Sequence, residues 1–188
     1  MEVRDYKPRL REKKVLLKLA RNSICRLLSV YFTEEKIEYH EWLSAKIGAF
    51  VSIHNKSGEL RGCIGRFLSD IPLYLLVQEL AVSASSKDYR FNPVKECELD
   101  TIVIEISVLS PLNRIYSLKE IVRGKHGIYI KKGNQSGTFL PQVILETGWD
   151  IETFVGRCSR DKAGIGWDGW KEAELYTYTA EIFSEEAK

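Results

Sequence analysis

The residues of this 188-residue chain that are most able to do chemistry lie in one short segment, residues 60–65, which reads LRGCIG. Two glycines within four strand residues are typical of a bulge, a bend or the close approach of a backbone or ligand. Strand alternation places Arg61, Cys63 and Gly65 on one face. A guanidinium beside a thiol favours the reactive thiolate. The segment predicts a nucleophilic or redox cysteine; the alternative is a small buried thiol in a tight hairpin.

Three further segments offer polar side chains that could work with this cysteine. Asp88 and Arg90 lie in a charged, aromatic loop that precedes a proline, and such loops often line sites. Their alternative role is a surface turn in which the two side chains pair. His126 lies close to two glycines and belongs to the residue type that titrates near neutrality, although capping or packing would also explain it. Lys162 lies at a predicted helix end, where the helix dipole favours a cation for structural reasons alone.

One hypothesis makes the chain an enzyme with Cys63 as its catalytic residue. Arg61 would stabilise the thiolate or bind an anionic substrate, while Asp88, Arg90 and His126 would orient groups and transfer protons. This hypothesis requires the five side chains to meet in one pocket.

A second hypothesis makes the same region a non-catalytic binding or regulatory module. Arg61, Arg90 and Lys162 would capture a small anionic ligand, a nucleic acid or a protein partner. Gly62 and Gly65 would let the backbone approach the ligand closely. Near-neutral charge and the lack of an aromatic and basic motif argue against nucleic acid.

Composition restricts the class of protein further. Lys and Arg number 28 against 26 Asp and Glu, and 44% of residues are hydrophobic, as in ordinary globular domains.

The apolar runs are too short to cross a bilayer, and no signal peptide is evident, so we expect a cytoplasmic protein without a membrane partner. The sequence shows no metal-ligand spacing and no glycine-rich phosphate loop, and we predict neither a metal nor another cofactor. Four scattered cysteines indicate reduced thiols: Cys25, Cys63, Cys97 and Cys158.

The elements that must position these residues alternate between hairpins and helices. Alternation and helical periodicity predict an α+β fold with a largely antiparallel sheet flanked by helices. The predicted elements are a helix over 11–31, a hairpin over 49–68, a helix opening at Pro72, a strand over 101–109, a short helix from Ser117 to Gly124, two strands around the turn at 133–137, a helix from Asp150 to Gly164 and a closing strand over 174–183.

Six motifs in order resemble those of the AMMECR family. They are LRGCIG at 60–65, DYRFNP at 88–93, SVLSP at 107–111, GKHG at 124–127, LPQV at 140–143 and KAG at 162–164. Tyr89 stands where the family usually has proline, and Ser85 and Ser86 stand where it usually has alanines. These departures put the shape of the 88–91 loop in doubt, and not the membership.

The resemblance implies a single AMMECR-type domain over residues 1–188, with a larger and a smaller lobe whose boundary the sequence does not resolve. It also implies a groove centred on residues 61–65, but no settled activity. In many prokaryotes the family is associated with a Memo-like protein and a radical-SAM enzyme, which makes both of them expected protein partners. Eukaryotic members of the family have been discussed as nuclear and regulatory proteins.

Overall fold

The computed structural model describes residues 8–32 and 42–185. The chain divides into two compact units, the first formed by residues 1–109 and 181–188 and the second by residues 110–180. Within the described ranges, no helix is long and apolar enough to cross a membrane. The helices and strands are α1 (Leu10–Leu27), β1 (Ala49–Asn55), β2 (Leu60–Arg66), α2 (Leu73–Ser86), β3 (Ile102–Leu109), β4 (Asn113–Ile115), β5 (Gly127–Lys132), β6 (Gln135–Phe139), α3 (Val143–Thr147), α4 (Ile151–Arg157), β7 (Glu174–Tyr178) and β8 (Ala180–Ser184).

The first unit is a four-stranded sheet with α1 and α2 packed against one face. The strand order is β2-β1-β3-β8, and β1 pairs antiparallel with both β2 and β3. Every second residue of β1 and β3 is buried because it faces the helices, which is the alternation that the sequence predicts. The buried strand residues on that face include Val51, Ile53, Ile102, Ile104 and Ile106.

The opposite face of this sheet carries the polar residues of the three adjacent strands. Ser52 of β1 lies opposite Cys63 of β2 on one side and opposite Glu105 of β3 on the other. His54 lies two residues further along β1 on the same face. None of these four side chains is fully buried.

Both glycines of the LRGCIG segment admit a close approach by the chain itself. A Cβ at Gly62 would lie 2.1 Å from the carbonyl oxygen of Ala84 in α2, so glycine lets that helix pack against the strand. A Cβ at Gly65 would lie 2.1 Å from the ring of Phe50, which covers this position from β1. The space that the binding-module hypothesis assigned to a ligand is filled here by protein.

The second unit is a four-stranded sheet with the order β4-β7-β5-β6. Its core includes Ile128 and Ile130 of β5 and Phe154 and Val155 of α4. Asp150 caps α4 because its carboxylate accepts a hydrogen bond of 2.7 Å from the backbone N–H of Thr153.

The predicted α+β fold with antiparallel sheets is confirmed, and four element boundaries differ from the prediction. The helix predicted over 11–31 ends at Leu27, because the chain takes a left-handed conformation at Ser29, where φ is 59°. The closing strand is two strands that break at Thr179, because β7 pairs in the second sheet and β8 in the first. The helix predicted from Ser117 is a single 3-10 turn over Leu118–Glu120. The helix that begins after Asp150 is α-helical only to Arg157 and continues as a π-helical turn over Cys158–Lys162.

Candidate functional site

Cys63 lies on the edge strand of the first sheet, and both of its outward backbone groups are held by side chains. Its N–H donates to Oδ2 of Asp88 at 2.9 Å, and its carbonyl oxygen accepts from Nη2 of Arg90 at 3.1 Å. Arg90 in turn donates from Nε and Nη2 to the two carboxylate oxygens of Asp88, at 2.9 and 2.6 Å. A bidentate pair of this kind fixes geometry as well as charge. The Asp88–Arg90 pair therefore holds the backbone of Cys63 in place.

Asp88 is the buried member of this pair, with its side chain 2% exposed. The hydrogen bonds from Arg90 hold the pKa of the Asp88 carboxyl far below its usual range, and the N–H of Cys63 adds to this effect against the opposing effect of burial. The same contact raises the pKa of Arg90. Asp88 is accordingly a carboxylate at neutral pH, and the two charges balance each other.

The thiol of Cys63 is half-buried and has a polar neighbour on the adjacent strand. The hydroxyl of Ser52 donates to Sγ of Cys63 at 3.2 Å. This contact places a hydroxyl donor beside the thiol.

Arg61 is engaged in the same way as Arg90. It donates to both carboxylate oxygens of Glu98, at 2.8 and 3.1 Å, and to the carbonyl oxygens of Asn92 and Pro93. The guanidinium lowers the pKa of Glu98. The positive charge that the sequence places beside the thiol is thus already balanced by a carboxylate.

The two remaining predicted site residues belong to the second unit. Nδ1 of His126 accepts a hydrogen bond of 3.2 Å from the N–H of Val122, which makes it part of the local turn. The ammonium of Lys162 lies 5.5 Å from the centre of the Phe139 ring. Cys158 nearby is buried, and burial raises its pKa to about 12. The first unit brings together four of the predicted residues: Arg61, Cys63, Asp88 and Arg90.

Sequence reasoning missed the other polar residues on the face that carries Cys63. These are Ser52, His54 and Glu105, and Nε2 of His54 lies 4.0 Å from Oε1 of Glu105. The alternation of β3 does place Glu105 on the outward face, but its pairing with β1 joins residues more than fifty positions apart in the chain. Over residues 8–32 and 42–185, no three His, Cys, Asp or Glu side chains are grouped to hold a metal ion.

The fold and the site define a class of α+β protein in which a buried aspartate, paired with a half-exposed arginine, holds a cysteine on the edge strand of an antiparallel sheet. The chain belongs to the AMMECR1 family, whose model matches residues 17–183. The family predicted from the six motifs is therefore confirmed.

The relatives are archaeal. Protein NEQ441 of Nanoarchaeum equitans is 37% identical over 179 residues, which is 91% of this chain and 99% of that protein. A Thermococcus onnurineus protein is 45% identical over 152 residues, covering 75% of this chain and 74% of its own length. The crystal structure of the uncharacterized protein PH0010 from Pyrococcus horikoshii superposes with a TM-score of 0.81 at 36% identity, covering 91% of this chain and 90% of that one.

Proposed function

We propose that the protein is an enzyme that uses Cys63 as a covalent nucleophile. The observation that carries this proposal is the contrast between the backbone and the side chain of Cys63. The ion pair of buried Asp88 and half-exposed Arg90 holds its N–H and its carbonyl oxygen, while its half-exposed thiol accepts a hydrogen bond from Ser52. Catalytic nucleophiles need this combination of fixed position, accessibility and a donor to the thiolate.

The reaction that suits such a thiol is the transfer of a group through a covalent adduct. The thiolate attacks an electrophilic carbon of the substrate, the carbon–sulfur bond forms, and the leaving group departs with the electron pair and takes up a proton. Water then breaks the carbon–sulfur bond and returns the thiol. Ser52 holds the thiolate before the attack and releases it as the sulfur loses its charge.

The contacts of the arginines weigh against the alternative of a module that captures anions. An anionic ligand would have to displace Glu98 from Arg61, or the buried Asp88 from Arg90. Displacing Asp88 leaves a buried carboxylate without its partner, which costs about 2–3 kcal/mol after allowance for the half-exposed Arg90 side chain. The Memo-like and radical-SAM partners that the resemblance implies remain a prediction.

The test is the rate at which iodoacetamide modifies each cysteine of the folded protein, measured by peptide mass. Cys97 is exposed and serves as the internal reference, whereas Cys25 and Cys158 are buried. We expect Cys63 to react about tenfold faster than Cys97 at about pH 7, because its backbone is held in place and the Ser52 hydroxyl donates to its sulfur. Ser52→Ala should remove most of this advantage. Modification of Cys63 only after unfolding in urea would overturn the proposal.

A further inference from the structure

We propose that the face of the first sheet beside Cys63 binds a cationic N–H donor, a primary ammonium group of the substrate, between Glu105 and His54. This inference names the substrate class for the Cys63 site and so rests on the proposed function. The sequence suggests an anionic ligand, whereas this site would bind a cation. The difference arises because the two arginines near the thiol are paired with carboxylates.

The register of the three strands puts Cys63, Ser52 and Glu105 in one row. Ser52 lies directly opposite each of the other two, and all three side chains project from the same face. Neighbouring strands are about 4.8 Å apart, so the backbone positions of Cys63 and Glu105 are separated by roughly 10 Å. A small substrate can place a cation at Glu105 and its reacting carbon at the thiol.

The hydrogen-bonding pattern of His54 leaves a nitrogen of its ring in need of a donor. Nδ1 lies 3.3 Å from the carbonyl oxygen of Gly58. A carbonyl oxygen only accepts, so Nδ1 carries the proton and Nε2 of the neutral ring is an acceptor. Nε2 is buried and has no hydrogen-bond partner in the described part of the chain. Buried polar atoms are rarely left in this state.

The atom that faces this nitrogen is a second acceptor. Oε1 of Glu105 lies 4.0 Å from Nε2 of His54, which is too far for a direct hydrogen bond. Two facing acceptors need a donor between them, and an ammonium group supplies several N–H bonds. In the parts of the chain that the structure describes, neither Lys nor Arg forms an ion pair with Glu105, so a cation also balances its charge.

The competing arrangement is a doubly protonated His54 that balances Glu105 by itself. That arrangement leaves the face neutral and gives no preference for a cation. The experiment below separates the two arrangements because it measures charge preference at the thiol.

The test uses three thiosulfonate reagents that form a mixed disulfide with Cys63 and release a sulfinate. They carry an aminoethyl, a sulfonatoethyl or a neutral methyl group. At about pH 8 we expect the aminoethyl reagent to modify Cys63 about tenfold faster than the sulfonatoethyl reagent, because the two reagents differ by two charges and the Glu105 charge lies roughly 10 Å away at an effective dielectric constant of about 50. Glu105→Gln should abolish this ratio when each rate is divided by the rate of the methyl reagent in the same variant.

The matched control is Glu79→Gln, which removes an exposed carboxylate from α2, on the other side of the sheet. It should leave the ratio at Cys63 unchanged. Equal rates for the two charged reagents in the wild-type protein would overturn the ammonium site while leaving Cys63 a reactive thiol. If none of the three reagents modifies Cys63 in the folded protein, the proposed function is overturned instead.

In that case the ammonium site is tested without the thiol. The Hε1 resonance of His54 is followed by NMR while butylammonium chloride is added, with tetramethylammonium chloride, which has no N–H, in parallel. A saturable shift with butylammonium that Glu105→Gln abolishes supports the site. No shift in the wild-type protein, or equal shifts with both salts, overturns it.

Discussion

Replacing Asp88 by asparagine removes the charge that holds Cys63 in place, and we expect this change to destabilise the first unit by about 2–3 kcal/mol. The carboxylate accepts hydrogen bonds from the N–H of Cys63, from the N–H of Arg90 and from two nitrogens of the Arg90 guanidinium. Removing one partner of a buried ion pair costs about 3–5 kcal/mol. The Arg90 side chain is 46% exposed, so water compensates part of that loss. This is why we expect about 2–3 kcal/mol for Asp88→Asn and not the full cost of a buried pair.

The assay is amide hydrogen exchange of peptides from β1 and β2, which reports the free energy of unfolding of the first unit alone. The matched control is Asp70→Asn, because Asp70 is an exposed carboxylate in the same unit. We expect the control to stay within about 0.5 kcal/mol of the wild-type protein. Equal free energies for the two variants would refute the conclusion that Asp88 holds this strand.

The same carboxylate predicts how the effect depends on pH. The pKa of Asp88 is lower in the folded protein than in the unfolded chain, so its contribution to stability is present above the unfolded value of about 4. The contribution is lost as the pH falls through the lower folded value. The difference between wild type and Asp88→Asn should therefore be full at pH 7 and shrink progressively in acid below about pH 4. A difference that stays constant down to acid pH would contradict the ion-pair assignment.

Three more predictions test other parts of the structure. Gly62→Ala should lower the free energy of unfolding in urea by about 2–3 kcal/mol, because its Cβ would overlap the carbonyl oxygen of Ala84 in α2. An unchanged free energy would mean that the helix is not packed there. Burial raises the pKa of Cys158 to about 12, so iodoacetamide should leave this thiol unmodified at about pH 9 and react with it only in urea. Modification of Cys158 in the folded protein would contradict its burial. Asp150→Ala should destabilise the start of α4 through loss of the hydrogen bond from Thr153, and we expect several-fold faster exchange of the helix amides. Unchanged exchange would show that the cap contributes nothing.

Local patterns predicted most of the fold because each element carries its own period. The alternation over 102–108 and that of β1 place the correct residues toward the helices. In β2 the register shifts beside His54 and puts Leu60 on the outward face with Cys63, which a strict period of two does not predict. The closing segment shows why such patterns have a limit. Alternation continues through Thr179, yet β7 and β8 pair in different sheets, and a period of two carries no information about the partner strand.

The site was predictable only where its residues are close in the chain. The sequence offered pairing of Asp88 with Arg90 as the alternative role of that loop, and the pair exists, but Asp88 is buried and not on the surface. The burial arises because the N–H of Cys63, twenty-five residues earlier, needs an acceptor at the sheet edge. Glu105 and His54 could not be linked to Cys63 without the register of three strands.

One structural explanation of the Asp88–Arg90 pair involves no chemistry. An edge strand exposes backbone groups that invite pairing with another chain, and natural proteins often cover such edges. This role and the positioning of a nucleophile make different predictions for the Cys63 side chain, because edge protection requires only its backbone groups. A substitution that leaves the pair intact first shows how much the Cys63 side chain itself contributes to stability.

That substitution is Cys63→Ala. The thiol is half-buried and faces away from the helices, so we expect its loss to cost less than about 1 kcal/mol in hydrogen exchange of β1 and β2 peptides. Cys25→Ala in the same unit is the matched control, and because Cys25 is buried in α1 it should cost more. A larger loss at Cys63 than at Cys25 would mean that the thiol is part of the packing. A small loss would mean that stability does not explain the thiol. The iodoacetamide rate of Cys63 relative to Cys97 in the wild-type protein then separates the two roles, because edge protection gives the thiol no advantage.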